Sequence, residues 1–305
     1  MPPPKGTPNI LEGPGEDYDV TVHVHNDTYP AIDPTKADLS GKVVFISGGS
    51  RGLGRAMALA FTKAGASSIA VGARSDLSSL ANDIRLAAVS ANRGPPKFLP
   101  VQLDVADRQS VEQAASTVER EFGHCDVVVS NAGILGKFGL VVDSDPDEWR
   151  RVLDVNLYGP YLVSRSFLPL LLKAGGPKYL IHVTSVAAHL VNPMLSAYQT
   201  SKVGVMRFAQ LLNAEYAAEG VICFSIHPGN CPTDIMGGPE NLNEQEKLVF
   251  TETPDISADT LVYLTSERRD WLRGRYINCT WDMLELEAKK DNIVGKDLLK
   301  VRLVY

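Results

Sequence analysis

"KVVFISGGSRGLGRAMALAF", residues 42 to 61, places an apolar run, a glycine turn and a helix-forming run in direct succession. The first six residues read as a strand buried on both faces. From Arg55 the composition turns to helix formers. Between the two, Gly48, Gly52 and Gly54 permit a tight turn and a close backbone approach that side chains would block. The helix N-terminus behind the turn offers free N–H groups and the positive end of a dipole to a phosphate. The spacing is G-x-x-x-G-x-G rather than the G-x-G-x-x-G dinucleotide fingerprint. Spacing alone leaves a purely structural turn open, whereas the strand–turn–helix context favours a phosphate cradle. Ser50, Arg51 and Leu53 complete that cradle.

The same alternation continues outward. The apolar runs "SSIAVG", "FLPVQL", "DVVVS", "YLIHVTS" and "VICFSIH" follow "KVVFIS". Amphipathic stretches at about 59–65, 77–92, 107–122, 147–173, 197–219 and 257–266 lie between and after them. Strand alternating with helix gives βαβ units with right-handed crossovers. The expected fold is α/β: a single Rossmann-like doubly wound parallel sheet flanked by helices over residues 39–280. Residues 1–38 form an N-terminal extension. Its proline- and glycine-rich start is expected to be a mobile tail, and "YDVTVHVH" an edge strand or extended arm. His23 and His25 share one face of that arm; with no third ligand in view they read as solvated or packed. Residues 281–305 form a C-terminal extension of mixed charge.

Bulk composition narrows the function. The 305 residues carry a net charge of −6, 44% hydrophobic residues and 22% charged ones. An acidic balance argues against a nucleic-acid or anionic-membrane partner. No run of 18 apolar residues spans a membrane, and the N-terminus lacks the apolar segment of a secretory signal. Cys125, Cys223, Cys231 and Cys279 are scattered, without metal or disulfide spacing. Reduced thiols of a cytoplasmic protein fit them best.

In dinucleotide folds, an acid about 20 residues past the turn binds the ribose 2′-OH, and an arginine there accommodates a 2′-phosphate. That count reaches Arg74, with Arg51 as a second cation and Asp76 as the competing acid. Two guanidiniums favour NADP(H) over NAD(H). Two further strand ends matter, because open α/β sheets bind ligands there: "SNAG", Ser130–Gly133, and "VTS", ending at Ser185. Thirteen residues on, "YQTSK" sets Tyr198 and Lys202 four apart, on one face if helical. Alone, such a pair is an ordinary helix face.

Taken together, these motifs resemble the short-chain dehydrogenase/reductase family over about residues 40–280. The glycine turn Ser47–Gly54 matches, with serine where the family usually has threonine. The resemblance implies a catalytic set of Asn156, Ser185, Tyr198 and Lys202. It implies cofactor contacts from Asp104 and Val105 in "LDV", from Asn131, Ala132 and Gly133, and from Pro228, Gly229 and Thr233 in "PGNCPT". Lys202 would also grip the nicotinamide ribose, and Asn156 would hold a water that relays protons; "DVNLYG" otherwise reads as an ordinary helix interior. Members usually pair through the helices that correspond to 147–173 and 197–219, so a homodimer or homotetramer is expected. The sequence departs from the family where many members carry D-G-G and this one has "YINCTWDMLEL". The extensions are similar to those of fungal members in secondary-metabolite pathways.

The resulting expectation is an NADP(H)-dependent oxidoreductase interconverting a ketone and a secondary alcohol. The lysine, with help from the cationic nicotinamide of the oxidised cofactor, would lower the Tyr198 pKa so that the phenol serves as acid and base. "ILGKF" (134–138), "AAHLVNPML" (187–195) and a lid-like 234–250 would shape a largely apolar pocket, with His189 and Cys231 as bystanders. Non-redox epimerase, dehydratase or retro-aldol chemistry on the same scaffold stays open, as does a non-catalytic NADP(H) sensor; turnover with a ketone panel separates them.

Overall fold

A computed structural model of the protein describes residues 20–303. Its strands are β1 (Val43–Ser47), β2 (Ser68–Ala73), β3 (Lys97–Gln102), β4 (Val127–Ser130), β5 (Lys178–Val183), β6 (Val221–His227) and β7 (Tyr276–Asn278). They form one sheet in the order β3-β2-β1-β4-β5-β6-β7, and every neighbouring pair runs parallel. The order reverses between β1 and β4, so the crevice for a ligand opens at the C-terminal ends of those two strands.

The helices are α1 (Gly52–Lys63), α2 (Ser78–Ser90), α3 (Arg108–Phe122), α4 (Pro146–Leu153), α5 (Gly159–Leu172), α6 (Ser196–Tyr216), α7 (Glu244–Lys247), α8 (Pro254–Ser266), α9 (Met283–Ala288) and α10 (Lys290–Gly295). Alternate strand residues supply two apolar layers. On one face Val44, Ile46, Val71, Ile181 and Phe224 meet α1 and α8 through residues such as Phe61 and Leu261. On the other, Phe45, Val128, Leu180 and Cys223 meet α3, α5 and α6, and Phe45 stacks on Phe167 at 3.8 Å. The central strands are buried on both faces, as their unbroken apolar runs require. Edge strand β3 is partly exposed and tolerates Pro100.

Three features differ from the sequence reading. The three-residue β7 adds a seventh strand, too short for its periodicity to register. The expected 147–173 helix breaks into α4, a π-helical turn at Asp154–Tyr158, and α5. The arm makes a single antiparallel bridge, Val24 to Trp281, rather than a strand; the expected mobile tail lies outside the described residues. His23 and His25 pair with Glu285 and Asp282, and His25 also stacks on Tyr29 at 3.7 Å. Trp281, Met283, Leu286 and Ile293 of the C-terminal segment are buried. All four cysteines are free and buried. Among the described residues no helix is long and apolar enough to cross a membrane.

Two fully buried histidines, His182 on β5 and His227 on β6, are pushed down to about 3 by burial. Unfolded histidine titrates near 6.5. Between those values the unfolded chain binds protons that the folded one does not, so stability must fall as pH drops through that window. A His182→Gln variant should show a shallower loss of melting temperature between about pH 6.5 and 4; an unaltered slope would mean that His182 does not carry the linkage.

Candidate active site

The cradle is built by hydrogen bonds between the ends of β1 and β4. Ser47 Oγ accepts the N–H groups of Asn131 (3.1 Å) and Ala132 (3.2 Å). The Asn131 carboxamide donates to the carbonyls of Ser47 and Gly48, both at 3.0 Å. The glycines are required by this closeness. At Gly48, with φ +72°, a Cβ would lie 2.8 Å from Ala132 Cα. At Gly54 it would lie 2.4 Å from the Gly48 carbonyl oxygen. Arg51, at the head of α1, provides no side-chain cap, so the first N–H groups of the helix have no acceptor from that residue. A glycine-walled turn under an uncapped helix end suits the pyrophosphate of a dinucleotide.

From this turn runs a cavity of about 490 Å³. Gly48, Ser50, Arg51, Gly52, Leu53, Gly54, Arg74, Asp104, Val105, Asn131, Ala132, Gly133, Ser185, Tyr198, Lys202, Pro228, Gly229 and Thr233 all border it. At one end Asp104 is fixed by its own loop, its carboxylate accepting the Ala106 N–H at 3.0 Å. Arg74 is exposed at the end of β2, and no described carboxylate pairs with it. Asp76 instead accepts the N–H (3.2 Å) and hydroxyl of Ser78 at the start of α2. Arg51 reaches the other way, its Nε 3.2 Å from Asp234. Sequence spacing placed both arginines at one spot; the structure divides them.

At the other end, Tyr198 and Lys202 lie one turn apart on α6, with the Lys202 Nζ 5.5 Å from the phenol ring centroid. Lys202 is only 4% exposed and donates to the Val183 carbonyl at 2.9 Å. The Ser185 hydroxyl neighbours the Tyr198 phenol and favours its ionised form. Asn156 sits in the π-helical turn, where its carboxamide accepts the Ile134 N–H (2.9 Å) and donates to the Ile134 carbonyl (2.7 Å) and Ser201 Oγ (3.3 Å). Ser201 in turn donates to the Tyr198 carbonyl at 2.6 Å. The side chain thus clamps the loop after Gly133 against the turn that bears the tyrosine. Ser47 entered the sequence reading only as the first residue of the glycine turn; Ser201 and Thr184, whose hydroxyl holds the Lys202 carbonyl at 2.9 Å, escaped it. Of these two, only Ser201 had a visible cue, its place one helical turn past Tyr198.

The electrostatics correct one expectation. Burial pushes the Tyr198 phenol above its ordinary value, and the Ser185 hydrogen bond offsets part of that rise. Burial also lowers Lys202 to about 8, so the ammonium still predominates at neutral pH. Before a dinucleotide binds, desolvation therefore outweighs the lysine. His189 packs edge-on against Tyr276 at 4.4 Å. Burial raises the Cys231 thiol well above its usual value, as suits a filler rather than a nucleophile.

The family pattern for short chain dehydrogenases matches residues 42–245. The chain belongs to the short-chain dehydrogenase/reductase family. It is 69% identical over 305 residues, all of both chains, to the short chain dehydrogenase pigC of Monascus ruber. It is 61% identical over 295 residues to tazN of Aspergillus terreus, covering 96% of this chain and 63% of that one. Both sources are fungi, as the extensions led one to expect. Among solved structures, a short-chain dehydrogenase/reductase from Mycobacterium marinum superposes with a TM-score of 0.71 at 26% identity, over 82% of this chain and 97% of that chain. An alcohol dehydrogenase from Thermococcus sibiricus, complexed with 5-hydroxy-NADP, gives 0.67 at 28% identity, over 78% and 95%. This short-chain dehydrogenase/reductase is an NAD(P)-dependent oxidoreductase of small molecules.

Proposed function

We propose that the enzyme interconverts a ketone and a secondary alcohol on a medium-sized, largely apolar substrate, with NADP(H) preferred over NAD(H). One observation carries this reading: Ser185 and Tyr198 neighbour each other beside a buried ammonium, in the same cavity as the glycine cradle. Ile134, Leu135, Phe138, Leu190, Leu195 and Phe250 give the wall around the hydroxyls its apolar character.

When bound, the nicotinamide supplies or accepts the hydride and, in its oxidised form, adds a positive charge. Tyr198 gives its phenolic proton to the carbonyl oxygen during reduction and takes the alcohol proton during oxidation. Ser185 Oγ hydrogen-bonds that same oxygen and steadies its developing negative charge. Lys202 sets the cost of the phenolate. Bringing a phenol from near 10 to neutrality needs three units, about 4 kcal/mol. Taking the 5.5 Å from Nζ to the ring centroid as the separation, the ammonium contributes roughly 3 kcal/mol at an effective dielectric of 20. Against the burial of Tyr198 the lysine alone falls short, and a second positive charge is required. Asn156 keeps the Ile134 loop and the tyrosine turn in register. Lys202, beside the phenol, would resupply that proton from solvent during reduction and carry it away during oxidation.

The preference for NADP(H) rests on Arg74. It is an exposed cation on the cavity without a described carboxylate partner, whereas Asp76 is engaged by Ser78 and Arg51 by Asp234. Oligomer formation through α4–α6 is supported by an apolar groove of Leu153, Leu157, Tyr158, Tyr161 and Phe208; light scattering that found only monomer would contradict it.

A Tyr198→Phe variant should lose roughly 10²- to 10⁴-fold in turnover, the range for a general acid–base group. Dinucleotide affinity by fluorescence titration should be unchanged; lost binding, or turnover kept, would refute the role. Arg74→Ala should weaken NADP(H) roughly ten- to a hundredfold more than NAD(H), the size of a charge-assisted hydrogen bond. Equal losses for the two cofactors would remove the phosphate assignment.

A further inference from the structure

The N-terminal arm reaches the cofactor cavity indirectly, through the residues that follow the lid. His25 N–H donates to the Thr280 carbonyl at 2.7 Å. The Thr253 N–H donates to the Asn26 carbonyl at 2.9 Å, and Thr253 Oγ1 to Asp27 Oδ1 at 2.6 Å. Thr253 stands at the head of α8, yet its side chain does not cap that helix, because the hydroxyl is turned to the arm. One residue farther on, Thr28 donates to Asp259 of α8 at 2.6 Å.

On its other side the same segment holds the wall of the cavity. Cys231 Sγ lies 3.4 Å from the Thr253 carbonyl. Glu252 is 1% exposed, and its Oε2 accepts the Asn230 N–H at 3.0 Å. Gly229, at φ +92°, lies directly over these side chains: a Cβ there would stand 3.0 Å from Glu252 Cβ and 3.5 Å from Thr280 Cγ2. A buried carboxylate is costly unless its acceptors are met, so Glu252 and the Asn230 amide fix each other. The lid before them, residues 234–250, contains two 3-10 turns and the four-residue α7, and Leu248 within it is exposed. Irregular, exposed backbone of this kind opens at low cost. The arm therefore adds to the restraint that α8, starting at the next residue, places on Thr253.

We propose that Asn26 and Asp27 are positioning residues for the Gly229–Cys231 wall of the cofactor cavity, acting through Thr253 and Glu252. This rests on the reading of that wall as the nicotinamide side of the site. The N-terminal extension is then part of the cofactor site, holding in place a wall that it does not touch.

Asp27→Ala removes the acceptor for Thr253 Oγ1, and with it the 2.8 Å contact to the Thr28 N–H. Asp27→Asn keeps an oxygen at that place, and Thr253→Val removes the donor from the opposite side. In the alanine variant the KM for the dinucleotide should rise roughly three- to tenfold, the range for one lost hydrogen bond, with kcat unchanged and the asparagine variant restoring it. Thr253→Val should reproduce the effect without adding to it in the double variant, because one contact is being removed twice. Hydrogen–deuterium exchange without cofactor should quicken over residues 229–233 in Asp27→Ala and stay constant in β1 and β4. Unchanged exchange at 229–233, or faster exchange throughout the chain with kcat and KM both altered, would overturn the proposal. If the wild-type protein bound no dinucleotide, the functional reading would fail, and the exchange at 229–233 would still decide the brace.

Discussion

The Lys202 ammonium is held almost dry against the carbonyl of Val183, 5.5 Å from the ring of Tyr198. A cation in such a place is costly to keep, and burial lowers its pKa to about 8. It nevertheless stays largely protonated at neutral pH, and low effective dielectric makes its field strong. The phenol beside it is half-buried, and desolvation raises it above its ordinary value. Burial and the neighbouring ammonium thus act on the phenol in opposite directions. On the proposed reading, one more positive charge, at the nicotinamide end of the cavity, tips the balance toward the phenolate.

Holding that balance requires a rigid frame. The switch of strand order between β1 and β4 opens the crevice, and Ser47 and Asn131 stitch its two lips together. The π-helical turn at Asp154–Tyr158 carries Asn156, which binds the Ile134 loop and reaches Tyr198 through Ser201. Single π turns inside helices recur at functional sites; this one carries a carboxamide that joins two walls of the cavity. Thr184 fixes the next turn of α6 by holding the Lys202 carbonyl.

Much of this was legible in the chain. Continuous apolar runs such as Val43–Ser47 and Val221–His227 marked buried parallel strands, because sheets covered on both faces have no reason to alternate. The glycine turn was legible because its closeness to Ala132 and Asn131 leaves no space for a Cβ. What stayed hidden depended on tertiary partners. Three residues at Tyr276–Asn278 carry too little periodicity to announce a strand, and nothing in "DVNLYG" signals a π turn. The spacing of Arg51 and Arg74 could not foretell that Asp234 would draw one of them away. Nor could an i, i+4 pair reveal that desolvation of a half-buried tyrosine would oppose the lysine's effect. The partners of the histidines in "VHVH", Glu285 and Asp282, lie about 260 residues away in sequence, beyond the reach of any local pattern.

The central claim is that two positive charges together overcome burial at Tyr198. The most direct measurement is a titration of the Tyr198 ring-carbon NMR signal in the complex with oxidised dinucleotide, for the wild-type protein and for Lys202→Met. The account predicts a phenol titrating well below the ordinary value near 10 in the wild-type complex, and above it when the lysine is gone. A phenol that stays at or above that value in the wild-type complex, or falls equally far without Lys202, would contradict it.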